Sequence, residues 1–102
     1  MKNLLSKWQF EEPPETLVMV ETVIIKDHMP ILCVARLSEK KGWYFGHAEI
    51  IDLEKVVTVR LMDVLEIDKS LTNVCRMPVN WIARKNVENG TWVFVPESGR
   101  VK

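Results

Sequence analysis

The cysteines and histidines that could bind a metal or act as a nucleophile and its base are few: Cys33, Cys75, His28 and His47. A structural zinc site takes four ligands, normally as C-x₂₋₄-C and H-x₃₋₅-H pairs. Neither the cysteines nor the histidines have that spacing, so no metal and no other cofactor is expected. A catalytic nucleophile needs a base within hydrogen-bond reach and a third group to orient that base. Cys33 and His47 are the available pair, but Cys33 alternates with Ile31 and Ala35 in an apolar pattern where a thiol is inert. Glu49, Asp52, Glu54, Asp63, Glu66 and Asp68 are interleaved with Lys55, Arg60 and Lys69, which reads as solvated, charge-mixed surface. An acid pair for glycoside chemistry needs a deeper cleft than such a surface provides. The four glycines (42, 46, 90 and 99) match no phosphate-cradling pattern. No catalytic residue is assigned, and the chain is expected not to be an enzyme.

Charge and length narrow the partners. Fourteen basic residues balance fourteen acidic ones, and neither half of the chain has the basic excess that phosphate-backbone binding requires. Lys40-Lys41 ahead of Trp43-Tyr44-Phe45 is a weak single-strand funnel, so no nucleic acid partner is expected. The longest apolar runs are a few residues against the roughly 20 that a spanning helix needs, so no membrane association is expected. The start of the sequence lacks an export-type apolar region of about 7–15 residues. The expectation is a cytoplasmic protein with reduced, buried cysteines. At 102 residues there is room for one domain with one modest core.

Three parts are expected: an N-terminal arm over 1–16 with a Glu11–Glu15 proline-stiffened bridge, a globular domain over 17–97 and a tail over 98–102. The arm reads as the most loosely held part, with Leu4, Leu5, Trp8 and Phe10 docking as a short helical turn or strand, or as an apolar patch covering one edge of the core. Leu17 to Ile25 is Val- and Ile-rich and reads as a strand buried on both faces or one with a bulge near the middle. Residues 31–46 read as a hairpin turning at Ser38–Gly42, with Val56–Val59 as a further strand. From Leu61 the apolar spacing becomes helical, and Asp68 is a candidate cap for a second short helix carrying Leu71, Val74 and Cys75. Asn89-Gly90 predicts a two-residue type I′ turn that would pair Glu88 with Thr91 and Val87 with Trp92. That register puts Trp81, Ala83, Lys85 and Val87 on one face with Trp92 and Phe94. The expected fold is single-domain α+β, an antiparallel sheet of about five or six strands with one or two short helices (about 60–76) on one face. Its expected core is Val23, Ile25, Ile31, Cys33, Val57, Val59, Leu61, Leu65, Leu71 and Trp81.

Several segments carry a family resemblance: Gly42-Trp43-Tyr44-Phe45-Gly46, Val57 through Leu65, Ile67-Asp68-Lys69-Ser70-Leu71, Met77-Pro78 through Arg84, and a late Trp92. Over about residues 20–95 the chain resembles a group of small, uncharacterised bacterial proteins. Their order is W-x-F, a helix ending in D-P-S-L, L-P-x-G-x-x-A-x-R and a late Trp. Some relatives of that group are placed with immunity proteins of polymorphic toxin systems. This chain departs from the pattern at Lys69, Met77 and Asn80, and its acidic stretch is reduced to Glu49 and Asp52.

The resemblance and the lack of a catalytic cluster imply a non-catalytic protein-interaction module of immunity-like type, with another protein as partner. Trp and Arg are the side chains most often found as interface anchors. Trp43, Tyr44, Arg84 and Trp92 are the candidate interaction surface, since each sits beside a turn or on a mixed face; the same residues also suit core and edge packing. A second reading is a small-molecule-binding or enzymatic domain, with Arg84 holding an anion near Asp63, His47 or Cys33. A third is a structural subunit that forms homo-oligomers through an exposed edge strand.

Overall fold

Residues that alternate β-branched and aromatic side chains form the strands, and the order in which those strands lie decides what they bury. The computed structural model describes residues 8–38, 42–48 and 51–96. Leu4 and Leu5 of the arm, most of the Ser38–Gly42 turn, Glu49 and the tail from residue 98 lie outside the described residues. Six strands, β1 (Leu17–Glu21), β2 (Cys33–Arg36), β3 (Trp43–Gly46), β4 (Val56–Arg60), β5 (Trp81–Lys85) and β6 (Trp92–Pro96), form one sheet in the order β4-β1-β3-β2-β5-β6. Short helices α1 (Thr22–Lys26) and α2 (Leu61–Ile67), a 3₁₀ turn (Leu53–Lys55) before β4 and a longer 3₁₀ segment (Lys69–Val74), called the 3₁₀ segment below, complete a single-domain α+β fold. Four of the five strand pairings are antiparallel as expected, and β1 with β3 is parallel. The β2–β3 hairpin sets its second strand, rather than its first, against β1, which fixes that direction.

One face carries the larger core. Val18, Val20, Val34, Trp43, Phe45, Ala83 and Trp92 pack there beneath Leu61 and Val64 of α2 and Leu71 and Val74 of the 3₁₀ segment. The other face holds a smaller cluster of Cys33, Ala35, Tyr44 and Ile82, flanked by Met19, Leu37, Ile51 and Val56. Cys33 and Cys75 are buried in opposite clusters, so no disulfide joins them. Asp68 caps the 3₁₀ segment as expected, its Oδ1 accepting the Ser70 N–H at 3.0 Å.

Two expectations are corrected. The first strand stops at Glu21 instead of running to Ile25. Its partners end there too, with Glu21 opposite Val56, so residues 22–26 would have no ladder to join. They wind into α1 and satisfy their backbone groups locally, which leaves Ile24 buried, Val23 half-buried and Ile25 exposed. Second, the last hairpin pairs Lys85 with Trp92, two residues short of the expected register. Asn86 and Asn89 capture the Glu88 and Thr91 N–H groups with their side chains, and Asn86 N–H donates to the Thr91 carbonyl, so residues 87–90 form the loop. A shift of two keeps every side chain on its predicted face, although Val87 leaves the strand and is exposed. The arm docks through its apolar residues: Trp8 is half-buried, while Gln9, Glu11, Pro13 and Glu15 stay exposed. Phe10 is buried in the main core, and the carbonyls of Pro14 and Thr16 accept the first N–H groups of α2 (Met62 at 3.1 Å and Leu61 at 2.8 Å).

Asn80, which stands where the resembled pattern has glycine, adopts φ +70° and donates its N–H to the Arg36 carbonyl at 2.6 Å. Glycine and asparagine are the residues that enter this left-handed region at least cost. Asn80→Ala is therefore expected to lower stability by about 1 kcal/mol, with Asn80→Gly neutral or stabilising, as read by urea denaturation. Equal losses from both would contradict the backbone explanation.

Candidate functional site

The four residues expected to form an interaction surface do not share one. Trp43 and Trp92 point to the helix-covered face, while Tyr44 and Arg84 belong to the opposite one. Trp43 is 1% exposed, with Phe45 stacked on it at 6.2 Å between ring centroids and Phe10 edge-on at 5.2 Å. The Arg36 guanidinium lies 5.1 Å from its centroid and also binds Glu11 at 3.0 Å, Glu12 at 3.2 Å and the Met77 carbonyl at 2.9 Å. Trp43 thus anchors the arm from inside.

Tyr44 is fully buried in the second cluster, and a Cβ on Gly46 would stand 2.6 Å from its hydroxyl. That contact explains the glycine two residues on. Burial raises the Tyr44 phenol above its ordinary value; the Asp52 backbone opposes the rise, and Glu21 adds to it.

Trp92, 8% exposed, belongs to a closed polar ring. Its indole N–H donates to Ser70 Oγ at 3.2 Å, Ser70 Oγ donates to Asp68 Oδ1 at 2.8 Å, and Asp68 Oδ2 accepts from Lys85 Nζ at 2.8 Å. The Lys85 ammonium then lies 5.3 Å from the Trp92 ring centroid, closing the ring as a cation–π contact. Burial alone would raise the Asp68 carboxyl. The Lys85 ammonium and the Ser70 hydroxyl and N–H together outweigh it and hold the pKa below the usual carboxylate value.

Arg84 stands elsewhere, opposite Cys33 on β2, and Cys33 in turn lies opposite Gly46. His47 follows directly, so Cys33, His47 and Arg84 line one cavity of about 270 Å³. His47 is fixed there by its N–H on Glu21 Oε1 at 2.7 Å and by Nδ1 on the Pro30 carbonyl at 2.9 Å, which calls for a proton on Nδ1. Asp63 does not join them. It sits on α2 in a bidentate pair with Arg60, both contacts at 3.0 Å, and Arg60 lowers its pKa. Among the described residues no three of His, Cys, Asp and Glu come together as a metal site, and no helix is long and apolar enough to cross a membrane.

The surface that sequence reasoning did not single out is the outer edge of β6. Among the described residues this strand ends the sheet with a partner on one side only. Val93, Phe94 and Val95 are 54%, 38% and 41% exposed. Because Asn86 and Thr91 form a hydrogen-bonded pair, residues 93 and 95 turn their backbone groups toward β5 while Trp92, Phe94 and Pro96 turn theirs outward. Pro96, which has no N–H, falls at an outward position, where a sheet tolerates it. The sequence signal was present in Val93-Phe94-Val95-Pro96, three apolar residues closed by a proline.

The Asp68 ring makes stability pH-dependent with a definite sign. The folded pKa lies below the unfolded one, so the unfolded chain binds more protons in the acidic window. The contribution is complete above the unfolded carboxylate pKa of about 4 and is lost as pH falls through the lower folded value. Lys85→Met is expected to cost about 1–3 kcal/mol at pH 7 and to flatten stability between neutral and acidic pH, read by urea midpoints. A wild-type midpoint unaltered from neutral to strongly acidic pH would rule the ring out as a stabilising unit.

No family model, curated protein or solved structure matches this chain.

Proposed function

We propose that this chain is a non-catalytic protein-interaction module whose recognition element is the outer edge of β6. The observation that carries the reading is the row of outward Trp92 and Phe94 backbone groups beside the exposed side chains of Val93, Phe94 and Val95. Unpaired N–H and C=O groups on an apolar edge are a template for another strand. Trp and Tyr anchors play no part in it, because the core uses them. The immunity-like role implied by the resemblance is the more specific form of the same reading, with a toxin as the captured protein.

The test is affinity capture from cells with the tagged full chain beside an untagged copy of itself. Wild type and Met62→Lys, which alters an exposed apolar side chain on α2, are expected to retain a near-stoichiometric protein. Val95→Lys is expected to lose it while keeping its circular dichroism and melting temperature. Capture of nothing by wild type, or equal capture by Val95→Lys, would overturn the reading.

The meeting of Cys33, His47 and Arg84 in one cavity favours a second reading, a domain that binds a small anion. Inorganic phosphate would then raise the melting temperature of wild type but not of Arg84→Gln. A shift common to both would count against this site.

A further inference from the structure

We infer that the strand received by β6 is the β6 of a second copy, antiparallel across a two-fold axis at Val93. This rests on β6 being the interaction element and names its partner. Trp92 and Phe94 of each copy offer four outward groups, an N–H and a C=O each, and Pro96 adds only a carbonyl. With Val93 opposite its own counterpart, Trp92 faces the counterpart of Phe94, and those four groups pair reciprocally. Moving the axis to Phe94 would instead set Trp92 against the counterpart of Pro96, leaving both Trp92 carbonyls facing a ring that has no N–H. Proline therefore disfavours that register.

Side chains and charge agree with a second copy. On one face Val93 meets its own counterpart, flanked by Val95 against Thr91; on the other, Phe94 is the exposed side chain, while Trp92 stays in the core. No residue from Asn89 to Pro96 is charged, and the chain's formal charge is zero, so two copies approach without like-charge repulsion. The edge also lacks the lysines that commonly block such pairing. Three exposed apolar residues per copy fall short of the roughly 1,200–2,000 Å² of a stable complex. The dimer is accordingly weak and reversible, and it closes on itself because the axis uses each β6 once.

The full chain would be weighed by sedimentation from about 10 μM to about 1 mM, the range in which small interfaces associate. Mass is expected to rise from monomer to dimer and stop there, with Val95→Lys moving the midpoint at least about tenfold higher. Cross-linking tests the register. Across the axis the two residues at position 93 form a non-hydrogen-bonded pair with Cα atoms about 4.5 Å apart, within disulfide reach. The two at position 95 are offset by four residues, about 13 Å. Val93→Cys is expected to oxidise to a covalent dimer and Val95→Cys to remain monomeric, while the native Cys33 and Cys75 are buried. A wild type that stays monomeric throughout, growth beyond the dimer, or equal cross-linking at 93 and 95 would overturn the inference. A monomeric wild type that still captures a different chain through Val95 would sink the second copy and leave the β6 reading standing. A dimer indifferent to Val95→Lys would end both.

Discussion

Trp43 lies on the covered face with Phe45 stacked against it and Phe10 of the arm edge-on, so the arm forms part of its cover. Arg36 holds Glu11 and Glu12 while lying over the indole, which places the arm so that the Pro14 and Thr16 carbonyls meet the start of α2. Arg60 at that helix start gives no side-chain cap, so without the arm the first N–H groups would lack these acceptors. The arrangement leaves Trp43 Nε1 and Glu12 Oε1 buried without partners, a cost of about 1–3 kcal/mol each. Burial of Phe10 and the tryptophan is what offsets it.

The two ends of the sheet are treated differently. At β4 the edge is bracketed by charge: Lys55 precedes it, Arg60 closes it, and the chain turns at once into α2, where Asp63 holds Arg60. At β6 there is no charge between Trp92 and Pro96. Yet the root of that strand is firmly held, because the ring from Trp92 through Ser70 and Asp68 to Lys85 ties β5 and β6 to the 3₁₀ segment. An apolar edge on a fixed base loses little conformational freedom when a strand is added, which is the condition for a short strand to recognise anything.

The strands, α2 and the capped 3₁₀ segment were legible because their signals are local: β-branched alternation, helical spacing from Leu61, and Asp68 ahead of Ser70. Even the misread final hairpin kept its faces, since the register slipped by two. What failed was non-local. Thr22 to Lys26 has strand-like residues but no neighbouring strand to join. Alternation shows that Trp43 and Tyr44 point to opposite faces, yet not that both faces of β3 are covered. That depends on β3 lying between β1 and β2, an order no stretch of sequence states. The position of β6 at an edge was hidden for the same reason.

The residues that carried the family resemblance turn out to have structural duties. Trp43 and Phe45 build the aromatic wall, Asp68 caps one segment and grips Lys85, Trp92 closes the ring, and Asn80 meets a backbone angle that glycine would also accept. A pattern composed of such positions describes how a chain folds and is silent about what it meets. On the proposed reading, recognition is left to groups that no motif writes down: the main-chain N–H and C=O of Trp92 and Phe94, which any sequence at that edge would offer. Side chains decide only which strand may use them. Three apolar residues without charge admit an apolar partner, and Pro96, by withholding one donor, restricts the alignments in which that partner can lie.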